Sequence, residues 1–253
     1  MISFCYATWI EVRNIVNRSD VSIEYPSDIV KIPWKLVGAR RALKNHNINL
    51  YHGLAHQIPR SVRQRKIPKV VSIHDVIYRR YPELCPGEDL TRYDKELQDV
   101  CDVADLIIAV SKSTKEDILE FFEVDPNKII VLYSACDRRY RDLVSSPKRK
   151  LIREKYCLPD KYFLYVGSIG RRKNVLAIVR ALNRLPSKLR LPLVIIGSPT
   201  EYKDDIVRYA KEKKLEKFIV FPTGVSTDDL PAVYQGAELF LYVSLYEGFG
   251  MPI

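Results

Sequence analysis

Glu238-Leu239-Phe240-Leu241-Tyr242-Val243 is an apolar run of strand length. It passes at once into Ser244-Leu245-Tyr246-Glu247-Gly248-Phe249-Gly250-Met251-Pro252-Ile253. A buried strand, a turn with two close glycines and a proline near a helix start form the layout of an anion site. Glycine lets the backbone approach a ligand, proline suits the first helical turn, and exposed N–H groups face negative charge. An acidic Glu247 at the head of such a loop is electrostatically odd unless it serves something else, such as sugar hydroxyls. An ordinary strand-to-helix turn carrying a surface glutamate is the alternative, and this stretch alone leaves it open.

Outward from that stretch, short apolar runs alternate with segments of helical period, the pattern of α/β units with parallel sheets. In the second half, strands are predicted at 162–166, 192–196, 218–221 and 239–243, with helices near 151–156, 175–185, 204–213 and 228–234. In the first half, strands are predicted at 48–51, 69–73, 106–110 and 128–132, with helices near 34–44, 91–104 and 115–122. Ser113 with Glu116 reads as a capping box for the last of these helices. The polar, basic stretch 137–150 marks a domain edge, giving an N-terminal domain over 1–145 and a C-terminal domain over 146–253. Both are expected to be doubly wound. No Gly-rich βα turn precedes Ile48, and the chain stops where a helix should follow Ile253, so both domains are expected to be incomplete.

A second anion candidate is Gly167-Ser168-Ile169-Gly170-Arg171-Arg172-Lys173-Asn174, again between a strand and a helix. Arginine offers a bidentate fork for phosphate and lysine a compact charge. Cations at a helix start oppose the macrodipole, which hints at an anionic partner there. A solvated basic turn is the alternative. The stretch is not a P-loop, since G-x-x-x-x-G-K-S/T is absent, and it lacks the G-x-G-x-x-G spacing.

His74-Asp75 closes the strand Lys69–Ile73, at the carboxyl end where α/β sheets place ligands. A histidine there could donate to a leaving phosphate or a hydroxyl, or simply bond a neighbouring carbonyl. His52 and His56 sit four apart in a loop interrupted by Gly53 with no third ligand nearby, which favours a loop role over a metal pair. The basic run from Arg60 to Lys69 reads as solvated surface or as a contact for acidic lipid or an anionic acceptor.

Bulk composition narrows the classes. A 253-residue chain that is 47% hydrophobic and 28% charged has ordinary globular usage and length for two domains. Five scattered cysteines without a C-x-x-C pair argue against a disulfide framework or structural zinc and for a reducing cytosol. No apolar run approaches the ~20 residues of a spanning helix, and the amino terminus does not read as a signal peptide. The net charge of +10 favours anionic partners without choosing among them.

Taken together, the stretches at 51–59, 70–83, 104–118, 162–174 and 221–253 resemble, in order and spacing, glycosyltransferase group 1, family 4. The resemblance implies a GT-B fold of two Rossmann-like domains, with the acceptor bound mainly by the first and a nucleotide-sugar by the second. It implies retention of anomeric configuration without a metal ion, and no D-x-D motif occurs in the sequence. By position, Arg172 and Lys173 resemble the pair that holds the donor diphosphate, beside Gly167. Glu247 resembles the first glutamate of the family's E-x7-E motif, which contacts the donor sugar, with Gly248, Phe249 and Gly250 supplying backbone donors. Gly224 and Val225 resemble the turn beside the nucleobase. His74 resembles the first-domain histidine lining the reaction centre, and Gly53 and His56 fall on the acceptor side.

Departures stand beside these matches. The second glutamate of E-x7-E would lie beyond Ile253, and Ser168 stands where many relatives carry a basic residue. The resulting expectation is a hexosyltransferase of mannose or glucose type, acting on a glycan or lipid-linked acceptor. It would be cytoplasmic, with peripheral contact to an acidic membrane surface, and this polypeptide alone would be inactive and poorly soluble. The alternative is a non-catalytic nucleotide- or nucleic-acid-binding α/β protein. Nucleic-acid surfaces interleave aromatics with basic residues, whereas here the aromatics sit mostly in strands, so no nucleic-acid partner is expected. An NAD-dependent oxidoreductase would need the Gly fingerprint, which is lacking.

Overall fold

The computed structural model of the chain describes residues 2–5, 21–24, 48–85 and 89–253. The chain divides into two compact units, Met1–Arg80 with Gly87–Tyr133, and Tyr81–Pro86 with Ser134–Ile253. The segment Ser134–Ser145 therefore goes with the second unit, ahead of the boundary the polar stretch suggests. Its backbone explains why: Val144 N–H donates to the Gln235 side chain at 2.8 Å, and Gln235 donates back to the Asp142 carbonyl at 2.9 Å.

The first unit opens with β1 (Ile2–Cys5) and β2 (Val21–Glu24), paired in parallel with Ile2 opposite Val21. The sequence reading, which placed no strand ahead of Ile48, is corrected here; the helix expected over 34–44 lies outside the described residues. The main sheet is four-stranded and parallel, in the order β3 (Tyr51–Gly53), β4 (Lys69–Ile73), β5 (Leu106–Ala109), β6 (Ile129–Val131). The first of these strands starts later than expected, because the Tyr51 N–H is the first to reach β4's side, donating to the Pro68 carbonyl at 2.9 Å. The helices are α1 (Arg60–Arg63), α2 (Ile77–Arg80), α3 (Leu90–Val103) and α4 (Lys112–Phe121). Leu97, Val100 and Cys101 of α3 and Ile118 of α4 close over Val71, Ile73, Ile107 and Ala109. Each such fully buried aliphatic chain contributes about 1.5–3 kcal/mol by transfer from water. The capping box is also corrected. α4 begins at Lys112, three residues earlier than expected, and its N-cap is Ser111, whose hydroxyl accepts the Thr114 N–H at 3.0 Å.

The second unit carries a parallel sheet in the order β10 (Leu239–Phe240), β7 (Phe163–Val166), β8 (Leu193–Ile196), β9 (Ile219–Val220). Its helices are α5 (Ser146–Lys155), α6 (Val175–Arg184), α7 (Tyr202–Glu212) and α8 (Leu230–Gly236). Alternation along the strands sorts the core into two layers, as period-2 geometry requires. Tyr165, Leu193 and Ile195 pack with Val175, Val179 and Leu182 of α6 and Ile206 of α7. Leu164, Val194 and Ile196 pack with Ile152 of α5 and Ala232 and Val233 of α8. Because both faces are covered, β8 is apolar at every position, the signature of a buried parallel strand.

In this unit two strands are at least two residues shorter than expected. β9 ends before Phe221-Pro222, where proline removes a ladder donor. β10 ends at Phe240; beyond the Leu241 N–H, which donates to the Leu164 carbonyl at 2.7 Å, the chain turns toward the loop that follows β7.

Candidate functional site

In the second unit, β7 leads to β8 and β9 on one side, and the chain then returns to place β10 on the other. The strand order reverses between β7 and β10, and in open α/β sheets ligands bind at such a switch point, outside the carboxyl ends of the strands. The two turns singled out in the sequence, 167–174 and 244–250, are the loops that leave β7 and β10 at this point.

The turns are joined by backbone and side chains alike. The Leu245 N–H donates to the Arg172 carbonyl at 2.9 Å, and Asn174 Nδ2 donates to the Val243 carbonyl at 3.3 Å. Arg172 Nη1 donates to the Tyr246 carbonyl at 3.0 Å and to Glu247 Oε2 at 2.7 Å. Lys173 Nζ donates to Glu247 Oε1 at 2.5 Å. The side chains of Lys173 and Glu247 are only 13% and 18% exposed, so their attraction is screened less than at an open surface. Burial pushes the Glu247 carboxyl up, but Lys173 and Arg172, with the Ser244 hydroxyl beside them, outweigh it and hold the group below the usual carboxylate range. Arg171, in the same turn, points elsewhere: it pairs with Asp205 of α7 at 3.4 Å and lies over the Tyr202 ring.

Gly167 and Gly197 show why glycine is required beside this turn. A Cβ on Gly197 would fall 1.8 Å from the Gly167 carbonyl oxygen, so a side chain there would force the ends of β7 and β8 apart. Gly248 is buried at the turn, Phe249 is partly exposed, and Gly250 has φ +90°. Gly224 (φ +67°) and Val225 lie on the loop after β9. There Val225 packs into the α5/α8 core layer, and the N–H of the next residue, Ser226, donates to the Tyr156 hydroxyl oxygen at 3.2 Å. Asp228 of the same loop pairs with Arg139, and none of the contacts described above between the turns at 172–173 and 245–247 involves this loop.

Asn174 is the contributor that sequence reasoning missed. It adopts the left-handed conformation (φ +56°), which asparagine tolerates better than most residues, and it starts α6 while its amide holds the neighbouring turn. An asparagine at the junction of a basic turn and an apolar helix was the available signal.

In the first unit, His52, Gly53, His56 and His74 gather at the carboxyl ends of β3 and β4. A Cβ on Gly53 would meet the Gln57 carbonyl oxygen at 2.1 Å, so the loop can fold back only over glycine. His52 Nε2 pairs with the Ser72 hydroxyl at 2.9 Å, and burial pushes its pKa down. His56 and His74 contact each other as described below. In the basic run, Arg63 is a structural residue, donating to the Ile58 carbonyl at 2.9 Å and to Asp99 at 3.1 Å, while Arg60 and Lys66 are exposed. Among the described residues, no cluster of three or more His, Cys, Asp or Glu could hold a metal ion. No helix there is long and apolar enough to cross a membrane.

Comparison with known proteins agrees with this architecture. Glycosyltransferase Family 4 matches residues 6–140, and Glycosyl transferases group 1 matches residues 148–253. The O-antigen chain mannosyltransferase B of Escherichia coli is 31% identical over 228 residues, covering 87% of this chain and 58% of that protein. The chain thus spans little more than half the length of that relative. Among solved structures, sucrose-phosphate synthase from Thermosynechococcus elongatus superposes with a TM-score of 0.69 at 18% identity, covering 92% of this chain and 61% of that one. Anabaena HepE in complex with UDP and glucose gives 0.67 at 16% identity, covering 92% and 63%. The fold is that of the GT-B class, two Rossmann-like units with parallel sheets. The chain belongs to glycosyltransferase family 4.

Proposed function

We propose that the protein transfers a hexose of mannose type, with retention, from a nucleoside-diphosphate sugar to a glycan or lipid-linked acceptor. The observation that carries this reading is the meeting of Arg172, Lys173 and Glu247 at the switch point of the second unit. Departure of a nucleoside diphosphate concentrates negative charge, and preorganised cations and backbone N–H groups stabilise it without reorganisation. Arg172 and Lys173 take the diphosphate, assisted by the backbone at Gly167 and at Gly248, Phe249 and Gly250. Glu247 then addresses the donor sugar's hydroxyls, and Gly224 and Val225 form the wall beside the base. Two positive side chains supply the charge that a divalent ion gives in other transferases, so we propose a metal-independent reaction.

In the first unit, His74 addresses a sugar hydroxyl, while Gly53 and His56 shape the acceptor side. The mannose assignment is supported by the likeness to an O-antigen mannosyltransferase. The reading places the reaction in the cytoplasm, with the exposed Arg60 and Lys66 available to an acidic membrane surface.

The test is hydrolysis and transfer by the intact protein against a panel of nucleotide-sugars. A donor carrying a mannose-type hexose should be preferred, and Lys173→Ala and Glu247→Ala should each lower kcat by about 100-fold or more. Near-normal rates in both variants would remove the assignment of the site.

A further inference from the structure

Two of the first unit's histidines are built into one another. His56 has φ +56°, a left-handed conformation that histidine visits more often than most residues but that is still strained for a side chain with a Cβ. In this conformation the His56 N–H donates to the Ser72 carbonyl at 3.0 Å, and the His56 ring returns to the end of β4. There Nε2 accepts the backbone N–H of His74 at 2.8 Å. A ring nitrogen that accepts from an N–H is unprotonated. Burial, the largest influence on His56, pushes its pKa down, as does the neighbouring His74; Asp75 acts in the opposite direction. The two rings stack with centroids 5.4 Å apart and planes 22° apart.

The His74 ring is fixed from its other side. Its Nε2 lies 2.7 Å from the Leu54 carbonyl, a group that can only accept, so Nε2 carries the hydrogen. Nδ1 is then the polar atom that the exposed His74 ring has left to offer, and in the neutral ring it is an acceptor. The Thr114 hydroxyl, donating to the His74 carbonyl at 3.3 Å, holds the same residue from α4.

We propose that His56 is a positioning residue for His74, holding its backbone and ring so that Nδ1 is presented as the acceptor for a sugar hydroxyl. This rests on the reading that His74 addresses a sugar. It adds the atom that does so, the tautomer required and the residue that enforces both. The ligand chemistry is one polarised O–H, from either the donor hexose or the acceptor glycan.

The experiment uses the intact protein with ¹⁵N-labelled histidine at a pH where the rings are neutral. His74 should give the pattern of a protonated Nε2 and a bare Nδ1. His56→Gly relieves the left-handed backbone while deleting the ring; it should give mixed His74 tautomers and lower kcat for transfer by about 10-fold to 100-fold. Donor KM should stay within about threefold. His56→Asn tolerates the backbone and keeps an acceptor oxygen, and should recover part of the loss. If the hydroxyl belongs to the donor, acceptor-free hydrolysis of the nucleotide-sugar falls alongside transfer; if it belongs to the acceptor, transfer alone falls. A wild-type His74 protonated on Nδ1, or a His56→Gly protein with kcat within about twofold of normal, overturns the proposal. If the wild-type protein turns over no nucleotide-sugar, the activity reading fails, while the tautomer spectrum, which needs no donor, still decides the positioning claim.

Discussion

Glu247 holds two of the three cations of the neighbouring turn, Arg172 and Lys173, with its own side chain 18% exposed and Lys173 more buried still. Such an arrangement has a thermodynamic signature. The folded-state pKa of Glu247 is depressed below its ordinary value of 4.5. Its contribution to stability is therefore fully present above that ordinary value and fades as pH falls through it toward the lower folded-state value. Glu247→Gln should destabilise the protein by about 1–3 kcal/mol at pH 7, since two cations lose their charged partner. That deficit should shrink as pH is lowered from 7 to about 4, where the wild-type carboxylate also begins to take up a proton. Denaturant melts at several pH values measure it directly, and a deficit independent of pH would contradict the assignment of charge.

Helix starts show how far local signals reach. Both Ser111 and Ser113 stand near the beginning of α4, and the capping-box rule selects Ser113 with Glu116. The fold selects Ser111, because the Val110 N–H still donates to the Ile73 carbonyl at 3.3 Å and the helix can begin immediately after it. Ser111→Ala should lower stability by about 1 kcal/mol by removing the acceptor for the Thr114 N–H. Ser113→Ala should cost less, and thermal melts of the two variants separate them; equal losses would contradict the cap. β4 and α6 were legible because their apolar patterns are long relative to their ends. Strand β10 was legible as apolar but not in extent: the chain from Val243 onward bonds to the turn at 172–174, a partner about 70 residues away that no local window contains. The pairing of β1 with β2 was invisible for the same reason, since nothing within Ile2–Cys5 announces Val21–Glu24 as its neighbour. At the candidate site, the glycines and cations could be read directly as residue types, whereas the clamp from Asn174 depends on a left-handed backbone that composition does not reveal.

At the scale of the whole molecule, each unit has a four-stranded parallel sheet whose functional candidates lie at the carboxyl ends of its strands. In the first unit these are the histidines after β3 and β4, and in the second the paired turns after β7 and β10. This common placement follows from βα connectivity, which puts the loops that precede helices on one end of every parallel sheet. The charge pattern of the second unit leads to its most demanding consequence. Glu247 neutralises part of the positive charge of Arg172 and Lys173, the charge proposed to hold a diphosphate. A nucleoside diphosphate lacking its sugar must then compete with Glu247 for Arg172 and Lys173.

Calorimetric titration of the preferred donor's nucleoside diphosphate into the intact protein therefore tests the central claim most directly. Glu247→Gln should bind it about threefold to tenfold more tightly than wild type, and Lys173→Met about tenfold or more weakly, with both differences narrowing at high salt. Unchanged affinity in both variants, or weaker binding by Glu247→Gln, would contradict the claim that these two turns hold one diphosphate.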